Sequence, residues 1–481
     1  MLFNSIEFAI FLPIVFILYW FVFNRSLKLQ NLFVVIVSYI FYGWWDWRFL
    51  LLIAFTSFCS WLSGLLIERY RNHGKLPKTV SAINIIINIL ILGLFKYYDF
   101  FAQSFADMFL DGRSDGILLH VVLPVGISFY TFQALSYSID VYRGKIEPTH
   151  DVIAFFAFVG FFPQLVAGPI ERATNLLPQF QQERSFDYDK AVDGLRQMLW
   201  GFFKKIVIAD NCAVYVDKVF STYQTQSGST LFIAAVFFTF QIYADFSGYS
   251  DIAIGTAKLF GIRLVRNFKV PYFSRDIAEF WRRWHISLTT WFRDYVYIPL
   301  GGSRVSKAKI VRNIFIIFLV SGFWHGANWT YLAWGAYHAV LFLPLILLGK
   351  NRKFTNQVAE GRILPTWKET GQMLLTFFLA VLGWIIFRAD SIGTGFDYVC
   401  GMWQLDTLSA CYRFFTRETI RITSILIVMM LVVEWLQRRK EHGMEISGFK
   451  PWVRMVIVIL LIESILFFKA TEPSQFIYFQ F

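Results

Sequence analysis

The stretch Ile310–Gly349, IVRNIFIIFLVSGFWHGANWTYLAWGAYHAVLFLPLILLG, decides how the rest of the chain is read. It is too long for one membrane crossing, which takes about 20 mostly apolar residues, and about right for two. Its middle is Ser321-Gly322-Phe323-Trp324-His325-Gly326-Ala327-Asn328-Trp329, so the simplest drawing is an apolar hairpin whose bend holds His325 near two glycines. An ionisable side chain at such depth is expensive and points to function. A histidine satisfied inside the protein would give the same sequence signal.

The remainder has the same character. Of 481 residues 56% are hydrophobic, 20% aromatic and 16% charged, where soluble proteins carry roughly 25% charge. With a mean hydropathy of +0.51, the chain reads as an all-α polytopic integral membrane protein. Spanning helices are expected at 6–23, 30–45, 49–67, 80–95, 117–142, 371–388, 420–436 and 452–469. The segment Ile6 to Phe23 lacks a basic leader and a small-residue cleavage site, so a retained helix is expected. The centre, at 152–168, 195–209, 230–260 and 310–348, carries Pro, Gly, Asp and His inside apolar runs. Irregular backbone survives at membrane depth only inside protein or beside a water-filled cavity, so the centre is where a site is expected. The polar stretch 169–194 reads as a long loop or surface helix.

The net charge is +12, from 45 Lys+Arg against 33 Asp+Glu. Connections 24–29 and 68–79 carry +2 and +3, whereas 46–48 and 96–116 carry 0 and −2. Near the other end 349–369 and 437–454 each carry +3, and 388–419 carries −1. Basic connections stay in the cytoplasm, which predicts both termini outside it. Segment 262–313 carries +8 and is expected in the cytoplasm. Topology thus accounts for the charge, and nucleic acid is not needed. The cysteines, Cys59, Cys212, Cys400 and Cys411, show no CxxC spacing and no Cys/His cluster, so neither a metal site nor a disulfide framework is signalled.

Three further constellations could carry chemistry. In Phe280-Trp281-Arg282-Arg283-Trp284-His285-Ile286-Ser287-Leu288-Thr289-Thr290-Trp291-Phe292-Arg293-Asp294-Tyr295, arginines interleave with aromatic rings. That suits an interfacial helix anchored by snorkelling guanidinia, or a site gripping phosphates or a carbonyl oxygen. Asp245-Phe246-Ser247-Gly248-Tyr249-Ser250-Asp251 suggests a broken helix lining a polar cavity, or acids paired with neighbouring arginines. The aromatic end, Phe476-Ile477-Tyr478-Phe479-Gln480-Phe481, is expected to insert into an apolar pocket or to anchor at the membrane interface.

Together these residues resemble the membrane-bound O-acyltransferase family, in the bacterial branch that O-acetylates alginate and peptidoglycan. The resemblance runs through Leu123–Phe132, Ile139–Gly144, Phe162–Pro169, Asp245–Asp251, Glu279–Ser287 and Trp324–Ala327. It implies roughly 10–12 transmembrane helices, with re-entrant and interfacial helices around a central tunnel. It implies one membrane domain over 1–481: N-terminal helices to 145, a catalytic core over 146–350, C-terminal helices over 351–475 and the aromatic motif 476–481. His325 matches the family's catalytic histidine and His285 a second functional one. Gln164 stands where a histidine is expected in alginate-type relatives, which leaves the polymer open. The aromatic end is similar to the tail of a small membrane peptide that accompanies teichoic acid D-alanylation, which makes Tyr478 a candidate acyl acceptor. Donor and substrate contacts are expected from Trp281, Arg282, Arg283, Trp284, Arg293, Trp324, Asn328, Asp245 and Asp251.

The resemblance implies an acetyl group taken from a cytoplasmic thioester, acetyl-CoA, with no bound cofactor. Its destination is an exported or cell-wall polysaccharide, across the bacterial cytoplasmic (inner) membrane. The chain offers no soluble domain large enough for a polymer, so an extracytoplasmic SGNH-type partner is expected. The chemistry descends in leaving-group strength: a thiol has a pKa near 8.5, a phenol one near 10, and a sugar hydroxyl is a weaker acid still. Two other classes stay open from the residues: a transporter relaying protons through Asp245, Asp251 and His325, and a non-catalytic scaffold of an envelope complex.

Overall fold

The fold is that of a computed structural model, which describes residues 1–112, 114, 116–166, 168–404, 418–470 and 474–479. Arg113, Asp115, Ala167, residues 405–417 with Cys411, Glu472, Gln480 and Phe481 lie outside the described residues.

Every regular element among the described residues is helical. Among the described residues six helices are long and apolar enough to cross a membrane: Phe49–Arg69, Leu76–Phe109, Gly228–Leu259, Lys307–His325, Trp329–Leu347 and Trp367–Arg388. Ile6–Val22 and Leu27–Gly43 are shorter apolar helices. The chain is a multi-pass membrane protein. Contacts divide it into two units, Met1–Leu195 with Ala253–Val265, and Arg196–Ile252 with Arg266–Phe481.

In the first unit the helices pack through small and polar residues, as helices must where lipid removes the hydrophobic drive between them. Ser60, Ser63 and Gly64 make one stripe of the Phe49–Arg69 helix. Ser60 Oγ donates to Asn84 Oδ1 (3.3 Å) and Ser63 Oγ to Ser138 Oγ (3.1 Å). The expected span 117–142 is helical only over Ile127–Tyr142. Pro124 has no N–H to donate, and Gly126 turns the chain with a left-handed backbone (φ 75°). The expected span 80–95 instead runs on through a π-helical turn to Phe109.

In the second unit the apolar hairpin forms as expected: Lys307–His325, an extended Gly326, then Trp329–Leu347. Its arms cross closely. A Cβ on Gly322 would lie 2.2 Å from Tyr331 O, and one on Gly335 2.4 Å from Phe318 O.

The 230–260 stretch departs from expectation. It is one unbroken helix, Gly228–Leu259, of 32 residues. The glycine that suggested a break instead permits a crossing: a Cβ on Gly248 would sit 2.8 Å from Gly201 O, and one on Gly201 2.6 Å from Gly248 O. Two residue positions without Cβ let these backbones touch, and the side chains on either side then reach across. Asp245 and Asp251, six residues apart, lie about 120° apart around a helix of 3.6 residues per turn. Each meets its own lysine from the facing π-helical segment Phe203–Ala209. Lys204 Nζ is 2.6 Å from Asp251 Oδ2, and Lys205 Nζ is 2.9 Å from Asp245 Oδ1.

Filling this crossing should be costly. Gly248→Val is expected to destabilise the protein by about 1–3 kcal/mol or more through overpacking, read as a lower thermal midpoint in detergent. An unchanged midpoint would show that the two helices can separate without loss.

Candidate active site

Two histidines and a tyrosine converge in the second unit. His325 ends the first arm of the hairpin, and Asn328 caps the second by accepting from Thr330 N (3.0 Å). The bend therefore holds the imidazole between two rigid helices.

His285 arrives by another route. Asp276 caps the short helix Ile277–Arg283 by accepting from Glu279 N (2.7 Å), and Ile286–Phe292 follows after a kink. The kink is His285 itself, in the left-handed region (φ 43°, ψ 55°). That conformation is uncommon for a residue with a Cβ and clusters at functional sites. Asn267 fixes it: its carbonyl accepts from Ile286 N (2.9 Å), and its side-chain oxygen accepts from Ser287 Oγ (3.0 Å).

Tyr478 comes from the other end of the sequence, on the single turn Ile477–Phe479. Ring centroids are 6.3 Å apart for His285 and His325, 5.7 Å for His325 and Tyr478, and 6.2 Å for His285 and Tyr478. The walls are aromatic. Phe246 packs on Tyr478 (4.5 Å) and on His285 (4.6 Å), while Trp324, Trp334 and Phe387 surround His325 at 5.0, 5.2 and 5.5 Å. Burial pushes the Tyr478 phenol well above its ordinary pKa of 10.0, so it stays protonated until a base takes the proton. Neither nitrogen of His285 has a hydrogen-bond partner among the described residues, although its side chain is buried. A buried imidazole in that state is neutral and has a polar atom to offer a substrate group.

Residues 39–382 match the membrane-bound O-acyltransferase family. The chain belongs to that family. It is 40% identical over 416 residues, covering 85% of this chain and 77% of the relative, to the "Probable alginate O-acetylase AlgI" of Pseudomonas aeruginosa. It is 37% identical, over the whole of both chains, to the protein of that name from Pseudomonas putida. With the peptidoglycan O-acetyltransferase of Helicobacter pylori it shares 32% identity across 100% of this chain and 98% of the relative. The protein is an acyltransferase.

Against that family membership, the remaining expected residues fall into three places. Trp324 and Asn328 form the bend beside His325. Asn328 Nδ2 also donates to Asp390 O (3.2 Å) at the edge of a cavity of about 400 Å³, which is lined by Asp217, Ser221, Thr330, Tyr331, Phe387 and Arg388 among others. Phe387 is thus shared between the cavity and the wall of His325. The segment 277–292 is not a lipid-facing anchor. Trp281, Trp284 and Trp291 are buried in protein, Trp281 against Trp334 (5.5 Å) and Trp284 against Trp384 (4.7 Å).

The arginines bond groups other than the histidines. Arg283 pairs with buried Glu279 (2.6 Å), which also holds Arg275 (3.0 Å). Arg282 donates to Asn351 O and Phe354 O, and Arg293 pairs with Asp294 (2.6 Å). Asp251 is taken by Lys204 and Gln197 Nε2, and Asp245 by Lys205 and Ile477 N. Both acids therefore pair with lysines and not with the neighbouring arginines. In the first unit, Gln164 is buried and donates to Phe158 O (2.8 Å).

Sequence reasoning missed Lys204 and Lys205, although two charges inside the apolar stretch 195–209 were the available signal. It also missed His338, buried against Trp281 (4.9 Å) and Trp334 (5.0 Å). The described part of the C-terminal motif inserts into protein through Phe476 and Ile477, which are 0% and 1% exposed. Burying such a side chain contributes about 1.5–3 kcal/mol.

His285→Phe keeps a planar aromatic ring, slightly larger than the imidazole, and removes the ring nitrogens. It is expected to lower acyl transfer by about 10²-fold if the imidazole handles a proton or orients the substrate, at matched protein abundance in membranes. Wild-type rates in this variant would reduce His285 to packing.

Proposed function

We propose that this acyltransferase takes an acetyl group from acetyl-CoA in the cytoplasm, holds it on Tyr478 and passes it to an acceptor outside, for O-acetylation of an exported or cell-wall polysaccharide. The observation that carries the reading is the packing of the Tyr478 ring beside both His325 and His285.

In the first step His325 takes the phenolic proton while the Tyr478 oxygen attacks the thioester carbon. The C–S bond breaks and the proton leaves with the thiolate as free CoA thiol. In the second step an acceptor hydroxyl attacks the acetyl-tyrosine carbonyl. Its proton passes through His325 back to the departing phenolate, and both the tyrosine and the base are restored. An aryl ester lies between thioester and sugar ester in leaving-group strength, so both steps run downhill.

The hairpin suggests how such a site is fed. Its first arm begins at exposed Arg304, Lys307 and Lys309 and ends at His325, about 28 Å away at 1.5 Å per residue. With the basic end in the cytoplasm, His325 lies toward the outer face. A donor whose reactive carbon rides on a long flexible arm, as in acetyl-CoA, suits that separation, with the basic end attracting its phosphates. The cavity beside Phe387 offers hydroxyl, amide and carboxylate groups of the kind that receive a hydroxyl-bearing acceptor. Both termini lie outside in this reading, in the cytoplasmic membrane of a bacterium. The names of the relatives, alginate O-acetylase and peptidoglycan O-acetyltransferase, support a polysaccharide as the final acceptor. An extracytoplasmic SGNH-type protein completes the transfer to the polymer.

The test is purified protein incubated with acetyl-labelled CoA, followed by peptide mass spectrometry. Label is expected on the peptide containing Tyr478, absent in Tyr478→Phe and reduced by about 10²–10⁴-fold in His325→Ala. Undiminished acetylation of the polymer in cells carrying His325→Ala would sink the role of the base. The same result with Tyr478→Phe would remove the carrier and leave direct transfer.

A further inference from the structure

The buried charges around Lys205 are not explained by acyl transfer. Lys205 Nζ lies between two carboxylates, 2.7 Å from Asp210 Oδ1 and 2.9 Å from Asp245 Oδ1, and all three side chains are buried. One ammonium cannot balance two carboxylates in an apolar interior, so both acids need further donors. The C-terminal segment supplies them. Ser474 Oγ donates to Asp210 Oδ1 (2.7 Å), and Ile477 N donates to Asp245 Oδ2 (2.7 Å). The segment also accepts: Lys205 Nζ donates to Ser474 O (2.9 Å) and to Ser474 Oγ (3.1 Å).

We infer that Lys205, Asp210 and Asp245 form a polar latch that holds Ser474–Phe479 in place, with Lys205 a positioning residue for Tyr478. The apolar contacts of Phe476, with Tyr249 at 4.2 Å and Phe246 at 6.0 Å, bury surface but carry little direction. Hydrogen bonds at residues 474 and 477 fix the register. The stretch Ile477–Phe479 is a 3₁₀ turn with three residues per turn, so a slip of one residue would swing the side chain of residue 478 by about 120°. The latch thus selects which aromatic ring of the motif faces the histidines. Its purpose in catalysis rests on the carrier reading of Tyr478, whereas the latch itself does not.

Hydrogen–deuterium exchange of the full-length protein in detergent tests it without any acyl chemistry. Ser474→Ala removes two of the bonds from a position outside the helices. It is expected to speed exchange of the amides in 474–479 about tenfold, as the loss of hydrogen bonds to charged groups implies. Lys205→Met is expected to speed the same amides further, and by more than those of the Gly228–Leu259 helix, where Asp245 also loses its partner. Unchanged exchange of 474–479 in both variants would overturn the latch. So would a Lys205→Met variant that loosens the surrounding helices as much as the tail, since the lysine would then serve the bundle. Labelled acetyl-CoA gives the second readout. A released tail with Tyr478 unlabelled supports latch and carrier together, and a released tail with polymer acetylation undiminished keeps the latch and removes the carrier.

Discussion

A charge placed inside an apolar interior must find its opposite, and in this protein two adjacent lysines set that requirement. Lys204 and Lys205 sit in a π-helical segment and face a helix carrying Asp245 and Asp251. The pairs form only because Gly201 and Gly248 allow the two backbones to approach. Packing, charge and the geometry of the candidate site are therefore one problem: separating the helices strands two ammonium groups and two carboxylates away from water. Removing one member of a buried pair costs far more than the pair contributes, so this crossing tolerates coordinated change better than single substitution.

The second dependence is on backbone shape. His285 reaches the site because its residue adopts a left-handed conformation between two short helices, with Asn267 bonding both the main chain and Ser287 beyond it. His325 reaches it through the end of a helix followed by an extended glycine. Neither imidazole is placed by a long regular element alone. Each is aimed by the place where such an element stops.

Much of this was legible in the sequence. The length and apolarity of Ile310–Gly349 gave the hairpin with its histidine bend, and the aromatic end offered insertion into protein as one of its two readings. Two readings failed for identifiable reasons. Gly248 was weighed as a helix breaker, because sequence shows the missing side chain but not the backbone that occupies the space. The aromatic and arginine-rich stretch 280–295 fits both a membrane anchor and a protein interior, since a lipid tail and a packed ring present the same solvent to tryptophan. Lys204 and Lys205 were passed over because a charge pattern in one segment has no meaning until its partner segment is known. Spacing along the chain cannot show that residues 205, 245 and 474 meet.

The aromatic wall around His325 and Tyr478 bears on how energy is kept. Phe246 packs on the Tyr478 ring, and Trp324, Trp334 and Phe387 line His325. An activated ester loses its group-transfer potential whenever water reaches its carbonyl before the intended acceptor does. An apolar lining, which offers water no hydrogen bonds, slows that loss. An acyl group held there would wait for its acceptor, so that donor consumption follows the supply of acceptor on the far side of the membrane.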